Sequence, residues 1–86
     1  MKIRIEGKRV SLLSGNIEVG FAIIDDVDMI SILDLYVFPG YRNQRYAYVI
    51  IESIIEYAHK NHKHVISDCW YARYVFKEKN IQINSK

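Results

Sequence analysis

Through the first half of the chain apolar and polar residues alternate, and beyond the single proline apolar residues recur at three- and four-residue steps instead. Alternation marks a strand with two unlike faces, and the longer step marks a helix with one apolar stripe. Ile3 and Ile5 alternate with Lys2, Arg4 and Glu6, which predicts a short strand ending before Gly7. Val10 to Leu13 and Ile17 to Ile24 are rich in β-formers, and Ser14-Gly15-Asn16 between them supplies the positive φ of a tight hairpin. Asp25, Asp26 and Asp28 predict a second polar turn. The run MISILDLYVF, Met29 to Phe38, is apolar on both alternating faces, which predicts a central strand covered on both sides. Pro39 removes a ladder donor and Gly40 permits a turn, so the strand ends there.

Ala47, Ile50, Ile51, Ile54 and Ala58 place an amphipathic helix over Gln44 to about Asn61, with Glu52, Glu56 and Lys60 at four-residue steps on another face. His64 to Cys69 reads as a strand returning after that helix, in a right-handed β-α-β crossover with Met29 to Phe38. Trp70 to Lys79 has the mixed periodicity of a short helix, and Ile81-Gln82-Ile83 reads as a final short strand. The order of elements predicts an α+β fold: a mixed, mostly antiparallel sheet with one long and one short helix packed on it.

Length adds a constraint. A chain of 86 residues is read as one domain, 1–86, and a domain of that size buries only roughly 60 to 65% of the surface its unfolded chain exposes. The longest apolar run falls well short of a bilayer span, and MKIRIEG lacks the apolar core of a signal peptide. The lone Cys69 rules out an internal disulfide and fits a reducing compartment, so the expected location is cytoplasmic, with no membrane partner. A formal charge of +2 is too weak to declare a nucleic-acid partner by itself. Tyr36, Tyr41, Arg42, Arg45, Tyr46 and Tyr48, with Trp70, Tyr71, Arg73, Tyr74 and Lys77, interleave rings with positive charge as single-strand binders do. Much of that aromatic content is expected to fill the small core, which leaves nucleic acid the least supported partner. His59, His62 and His64 invite a metal reading, yet no carboxylate or thiol completes a set, and basic side chains suit a helix C-terminus, so no metal site is expected.

The candidate chemistry gathers where the central strand feeds the long helix. Free N–H groups and the positive end of the macrodipole favour an anion at any helix start, and Arg42 and Arg45 add charge to this one. A phosphate fits that arrangement; two solvated arginines beside a loop are the plainer alternative. Asp34, the one charge inside the strand, lies either where the strand meets water or at a site as a general base. Cys69 is either a small buried side chain at a strand end or a reactive, acyl-accepting thiol.

The run LDLYVFPGYRNQRYAYVIIESIIEYA, Leu33 to Ala58, resembles the central motif of the GNAT superfamily of acetyl-CoA-dependent N-acyltransferases: a strand of the type DLYV, a proline, YR, a phosphate loop and an amphipathic helix. That loop reads Arg or Gln, two residues, Gly, one residue, then Gly or Ala. Arg42 takes the first place and Ala47 the last, while Arg45 stands where the glycine is expected. ARYVFKEKNIQI is similar to the family's later segment, with Ala72, Phe76 and Asn80 in the matching places. The resemblance covers roughly Glu18 to Ile83, and the short chain with Cys69 directly after the returning strand looks most like a subgroup of very small GNAT-like proteins that carry a cysteine there.

The resemblance implies roles for individual residues. The Leu35 N–H would polarise the thioester carbonyl of acetyl-CoA, and the Val37 main chain would pair with the pantetheine arm. Arg42 and the amides of Asn43, Gln44, Arg45, Tyr46 and Ala47 would cradle the pyrophosphate. Asp34 and Cys69 are the side chains available for chemistry on an amine acceptor. Arg45 gives up both the open approach and the positive φ of the expected glycine, and Phe76 has no proton for a departing thiolate where the family often places Tyr. Two functions therefore stand side by side. One is an acetyl transfer from acetyl-CoA to an amine; the other is an inactive scaffold of the same fold that binds a protein partner, such as a phage or mobile-element inhibitor of a host system.

Overall fold

Tight turns fold the first half of the chain into a meander, and Gly7 (φ 58°) and Gly15 (φ 63°) occupy the left-handed conformations these turns require. The computed structural model describes residues 1–42, 44–67 and 69–78, without the side chains of Trp70, Phe76 and Glu78. Strands β1 (Lys2–Glu6), β2 (Arg9–Ser14), β3 (Ile17–Asp26) and β4 (Ile30–Val37) lead through a 3-10 turn (Pro39–Tyr41) to helix α1 (Tyr46–Lys60), strand β5 (Val65–Ser67) and helix α2 (Trp70–Glu78). The result is an α+β structure on a five-stranded sheet ordered β1-β2-β3-β4-β5. All neighbours are antiparallel except β4 and β5, which run parallel on either side of α1. The strand expected at Ile81-Gln82-Ile83 lies outside the described residues.

Both helices pack on the same face. Ala47, Ile50, Ile51, Ile54 and Ala58 of α1 and Ala72 and Val75 of α2 meet Val10, Leu12, Ala22, Ile24, Ile30 and Ile32 of the sheet in one cluster. Full burial of each such branched side chain contributes about 1.5–3 kcal/mol before chain entropy is set against it. Gly20 lets α1 settle this closely, because a Cβ there would stand 2.9 Å from the Tyr36 carbonyl oxygen and 3.1 Å from Ile50 Cδ1.

Two sequence expectations about packing are overturned. The strand read as covered on both sides is covered on one: Leu33 is 46% and Tyr36 36% exposed on the face that no described helix overlies. Its apolar character there is used sideways, in a cluster of Phe21, Tyr36 and Phe38 with ring centroids 5.4–5.9 Å apart, and Arg9 stacks over Phe21 while pairing with Glu18. Nor do aromatic rings fill the core. Among the described side chains the buried apolar set is Val, Leu, Ile and Ala, and the tyrosines pack around its rim. Branched aliphatic residues on closely spaced layers leave no room for rings between them.

The expected polar turn is shorter than its three aspartates suggested. Asp25 and Asp26 stay in β3, opposite Ser31 and Ile30. Asp26 is held there because its carboxylate accepts from Lys63 Nζ and, at 3.0 Å, from the Tyr57 hydroxyl, tying the β3–β4 hairpin to the end of α1. The Lys63 bond is the main reason the Asp26 carboxyl sits below its ordinary range, and the Asp26 bond raises Tyr57 and Lys63 above theirs. A lowered carboxyl contributes stability above its unfolded pKa and loses it on acidification; raised Tyr and Lys groups contribute below their unfolded values and lose it in alkali. Helix α1 then ends in a left-handed residue, His62 (φ 55°), with Lys63 N–H donating to Ala58 C=O at 2.9 Å and His62 N–H to His59 C=O at 3.2 Å.

Two outcomes are expected. Melting temperature should hold between roughly pH 5 and 9 and fall outside that window, and Asp26→Asn should flatten the acid limb when melts are run across pH. His62→Gly should raise stability by about 1 kcal/mol in urea titrations, since glycine takes the left-handed position without steric cost.

Candidate functional site

The site is built by one extra residue in β4. Ile23 faces Asp34 and Ile24 faces Ile32, which leaves Leu33 without a partner on β3. A bulge of this kind bends the strand and breaks its alternation: Ile32 and Leu35 are both buried, and Leu33 and Asp34 between them are both exposed. β5 accompanies β4 only from Ile30 to Ile32. Past the bulge the two strands part, and among the described residues one edge of β4 has no strand beside it. Phe38 N–H donates to Val19 C=O at 3.0 Å, and with the ladder register this directs Tyr36 toward β3 and turns the main-chain groups of Leu35 and Val37 to the open edge.

Side chains already reach one main-chain group of each residue. Leu35 N–H donates to Asp34 Oδ1 at 3.0 Å, and Arg42 Nε donates to the Val37 carbonyl at 2.8 Å. Arg42 can fold back because the 3-10 turn is closed by Tyr41 N–H on Phe38 C=O at 2.9 Å. Its guanidinium also lies 5.2 Å from the Tyr36 ring centroid.

Two clefts meet at this point. One, of about 460 Å³, is lined by Asp34, Leu35, Tyr36, Val37, Arg42, Cys69 and Tyr71. The other, of about 350 Å³, is lined by Val37, Tyr41, Arg42, Arg45, Tyr46, Ala47, Tyr48, Tyr71 and Tyr74. Val37, Arg42 and Tyr71 belong to both, so the clefts form one groove with a waist.

The second cleft opens on the start of α1. The helix begins at Tyr46, two residues later than its apolar spacing predicted, with Arg45 as its N-cap residue. The Arg45 side chain makes no capping hydrogen bond, and no acidic residue lies in the first turn. The positive end of the helix dipole therefore adds to the charge of the arginines with no acid of that turn to offset it. Arg45 adopts φ 64°, ψ 19°. The expectation that an arginine forfeits the positive φ of a glycine is thus corrected: Arg45 takes the left-handed conformation, at a strain of about 1–2 kcal/mol for a residue with a Cβ. Its guanidinium lies 6.0 Å from the Tyr48 ring centroid, on the wall of a cleft that stays open.

Cys69 is half-buried where the chain passes from β5 to α2. Its N–H donates to Ser67 Oγ at 3.2 Å, Ser67 Oγ donates to its carbonyl at 3.0 Å, and Arg73 Nε donates to Ser67 C=O at 2.8 Å. These bonds fix the backbone that presents the thiol side chain to the first cleft.

The fold thus brings Asp34, Leu35, Val37, Arg42 and Cys69 to one cleft, and Arg42, Arg45, Tyr46 and Ala47 to the other. Gln44 is exposed and lines neither, and Asn43 lies outside the described residues. Tyr71 and Tyr74, which the sequence presents among rings interleaved with positive charge, line the second cleft instead, and their three-residue spacing on α2 is the signal that both share one face. The three histidines and Lys63 line a separate hollow at the other end of α1, and among the described residues no group of His, Cys, Asp or Glu side chains has the arrangement of a metal site. No family model matches the sequence, and no curated protein matches it.

Arg45→Gly should leave the protein as stable or up to about 1 kcal/mol more stable, whereas Arg45→Val should lose about 1–2 kcal/mol, because a β-branched residue tolerates this φ least. Chemical denaturation of the two variants checks the difference.

Proposed function

We propose that this chain is a GNAT-like acyltransferase that binds acetyl-CoA in the groove and transfers the acetyl group to an amine. One observation carries the reading: the bulge at Leu33 frees an edge of β4, and the groove along that edge runs to a helix start with no acid in its first turn and flanked by Arg42 and Arg45. A diphosphate suits the helix start, where N–H groups and two guanidiniums converge. An amide-bearing arm suits the free edge, which it can extend as a further strand.

In this reading the thioester carbonyl lies at Leu35 N–H, which supports the oxyanion once Asp34 has released it. The amine nitrogen attacks the carbonyl carbon, the C–N bond forms, the C–S bond breaks, and CoA departs with the electron pair as a thiolate. Asp34, freed at the same cleft, takes the amine proton directly or through a water. Cys69 borders that cleft and is the thiol positioned to exchange with the thioester or protonate the departing sulfur.

A second reading draws on the other face of the sheet. Leu33 and Tyr36, with the Phe21 and Phe38 rings, give that face apolar surface suited to a protein partner, and a scaffold of this fold need not retain the cofactor.

Thermal melts separate the two. Acetyl-CoA at a hundred times its dissociation constant should stabilise the protein by about 2.7 kcal/mol, a rise in melting temperature of roughly 10 °C or more. A melting curve unmoved at millimolar acetyl-CoA would remove the transferase reading and leave the scaffold.

A further inference from the structure

The free edge of β4 is open to a ligand in shape, but two of its hydrogen-bonding groups are taken. Asp34 covers the Leu35 N–H, and Arg42 covers the Val37 carbonyl. Both covering residues are exposed, so each can leave for water without opening the core. An arm that uses the Leu35 N–H and the Val37 carbonyl must bring an acceptor to the one and a donor to the other, and in doing so it displaces a carboxylate and a guanidinium.

The two displaced groups have different destinations. Asp34 stays at the wall of the first cleft. Arg42 lines both clefts, so on leaving the Val37 carbonyl it remains beside Arg45 and the start of α1. There an anion can take it up with a charge-assisted bond stronger than the one it gave away. A ligand with phosphates at one end of its arm therefore supplies the partner that draws Arg42 off the edge. The same arm without phosphates has to expel Arg42 with nothing to receive it.

We propose that Asp34 and Arg42 are ligand-displaced caps on β4, and that Arg42 makes the groove select acyl groups carried on a phosphate-bearing arm over the same acyl groups on the bare arm. This rests on the acyl-CoA reading of the groove and adds a specificity determinant to it. The physical content is an antagonism: Arg42 favours the phosphate half of the ligand and opposes the arm half.

Calorimetric titrations of wild type, Arg42→Ala and Asp34→Ala with CoA, pantetheine and adenosine 3′,5′-bisphosphate test it, with melts of each variant confirming that it is folded. Arg42→Ala should bind CoA about tenfold more weakly, having lost a charge-assisted bond, and pantetheine severalfold more tightly. Asp34→Ala should also tighten pantetheine, with adenosine bisphosphate unchanged. If wild type binds CoA but neither variant binds pantetheine more tightly than wild type does, the caps are structural and the proposal fails while the acyl-CoA reading stands. If CoA binds neither wild type nor variants at millimolar concentration, the reading of the groove fails and the proposal falls with it.

Discussion

Because Leu33 has no partner on β3, the residues after it must fall out of step, and Ile32 and Leu35 both reach the core from a strand that should alternate. The constraint is geometric before it is chemical. A strand bent at that point cannot keep a straight neighbour, so β5 accompanies it for only three residues and the main chain beyond has no described strand on that side. Unpaired main-chain groups in a half-enclosed place demand partners. Here they receive a carboxylate and a guanidinium, which hold the edge quiet against pairing with another chain.

The aliphatic core determines what lines the groove. Val, Leu, Ile and Ala fill the space between the sheet and α1, so the tyrosines are pushed to the rim, where Tyr41, Tyr46, Tyr48 and Tyr71 surround the start of α1. A ring with a hydroxyl suits such a place, with its body against apolar neighbours and its tip at water. The absence of acid in the first turn of α1 completes the arrangement. A carboxylate there would satisfy the dipole internally and repel an anion; without one, the field of the helix and the arginines points at the cleft.

Much of this could be read in the residues. The hairpins followed from Gly7, Gly15 and the alternating strands, α1 from its five-residue apolar stripe, and the parallel placing of β5 from the intervening helix. What could not be read depended on counting across strands. A bulge has no local signature in MISILDLYVF, since a run apolar on both faces fits a regular buried strand as well as a bent one with an exposed side. The same ambiguity hid the uncovered face. Asp25 and Asp26 looked like turn residues because aspartates favour turns, and only Lys63 and Tyr57, distant in sequence, keep Asp26 in the strand. For the site, the junction of β4 with α1 was visible from Arg42 and Arg45, whereas the reach of Arg42 back to Val37 and the left-handed backbone of Arg45 depend on three-dimensional turns that residue types alone do not specify.

The parallel seam between β4 and β5 rests on three residue pairs, with one further bond from Ile30 N–H to His64 C=O at 2.9 Å. The antiparallel ladders that hold β1 to β4 together are much longer. With so short a ladder, the wall at Tyr71 and Cys69 takes its position from side-chain packing, since Ala72 and Val75 of α2 are buried in the same cluster as α1 and the sheet.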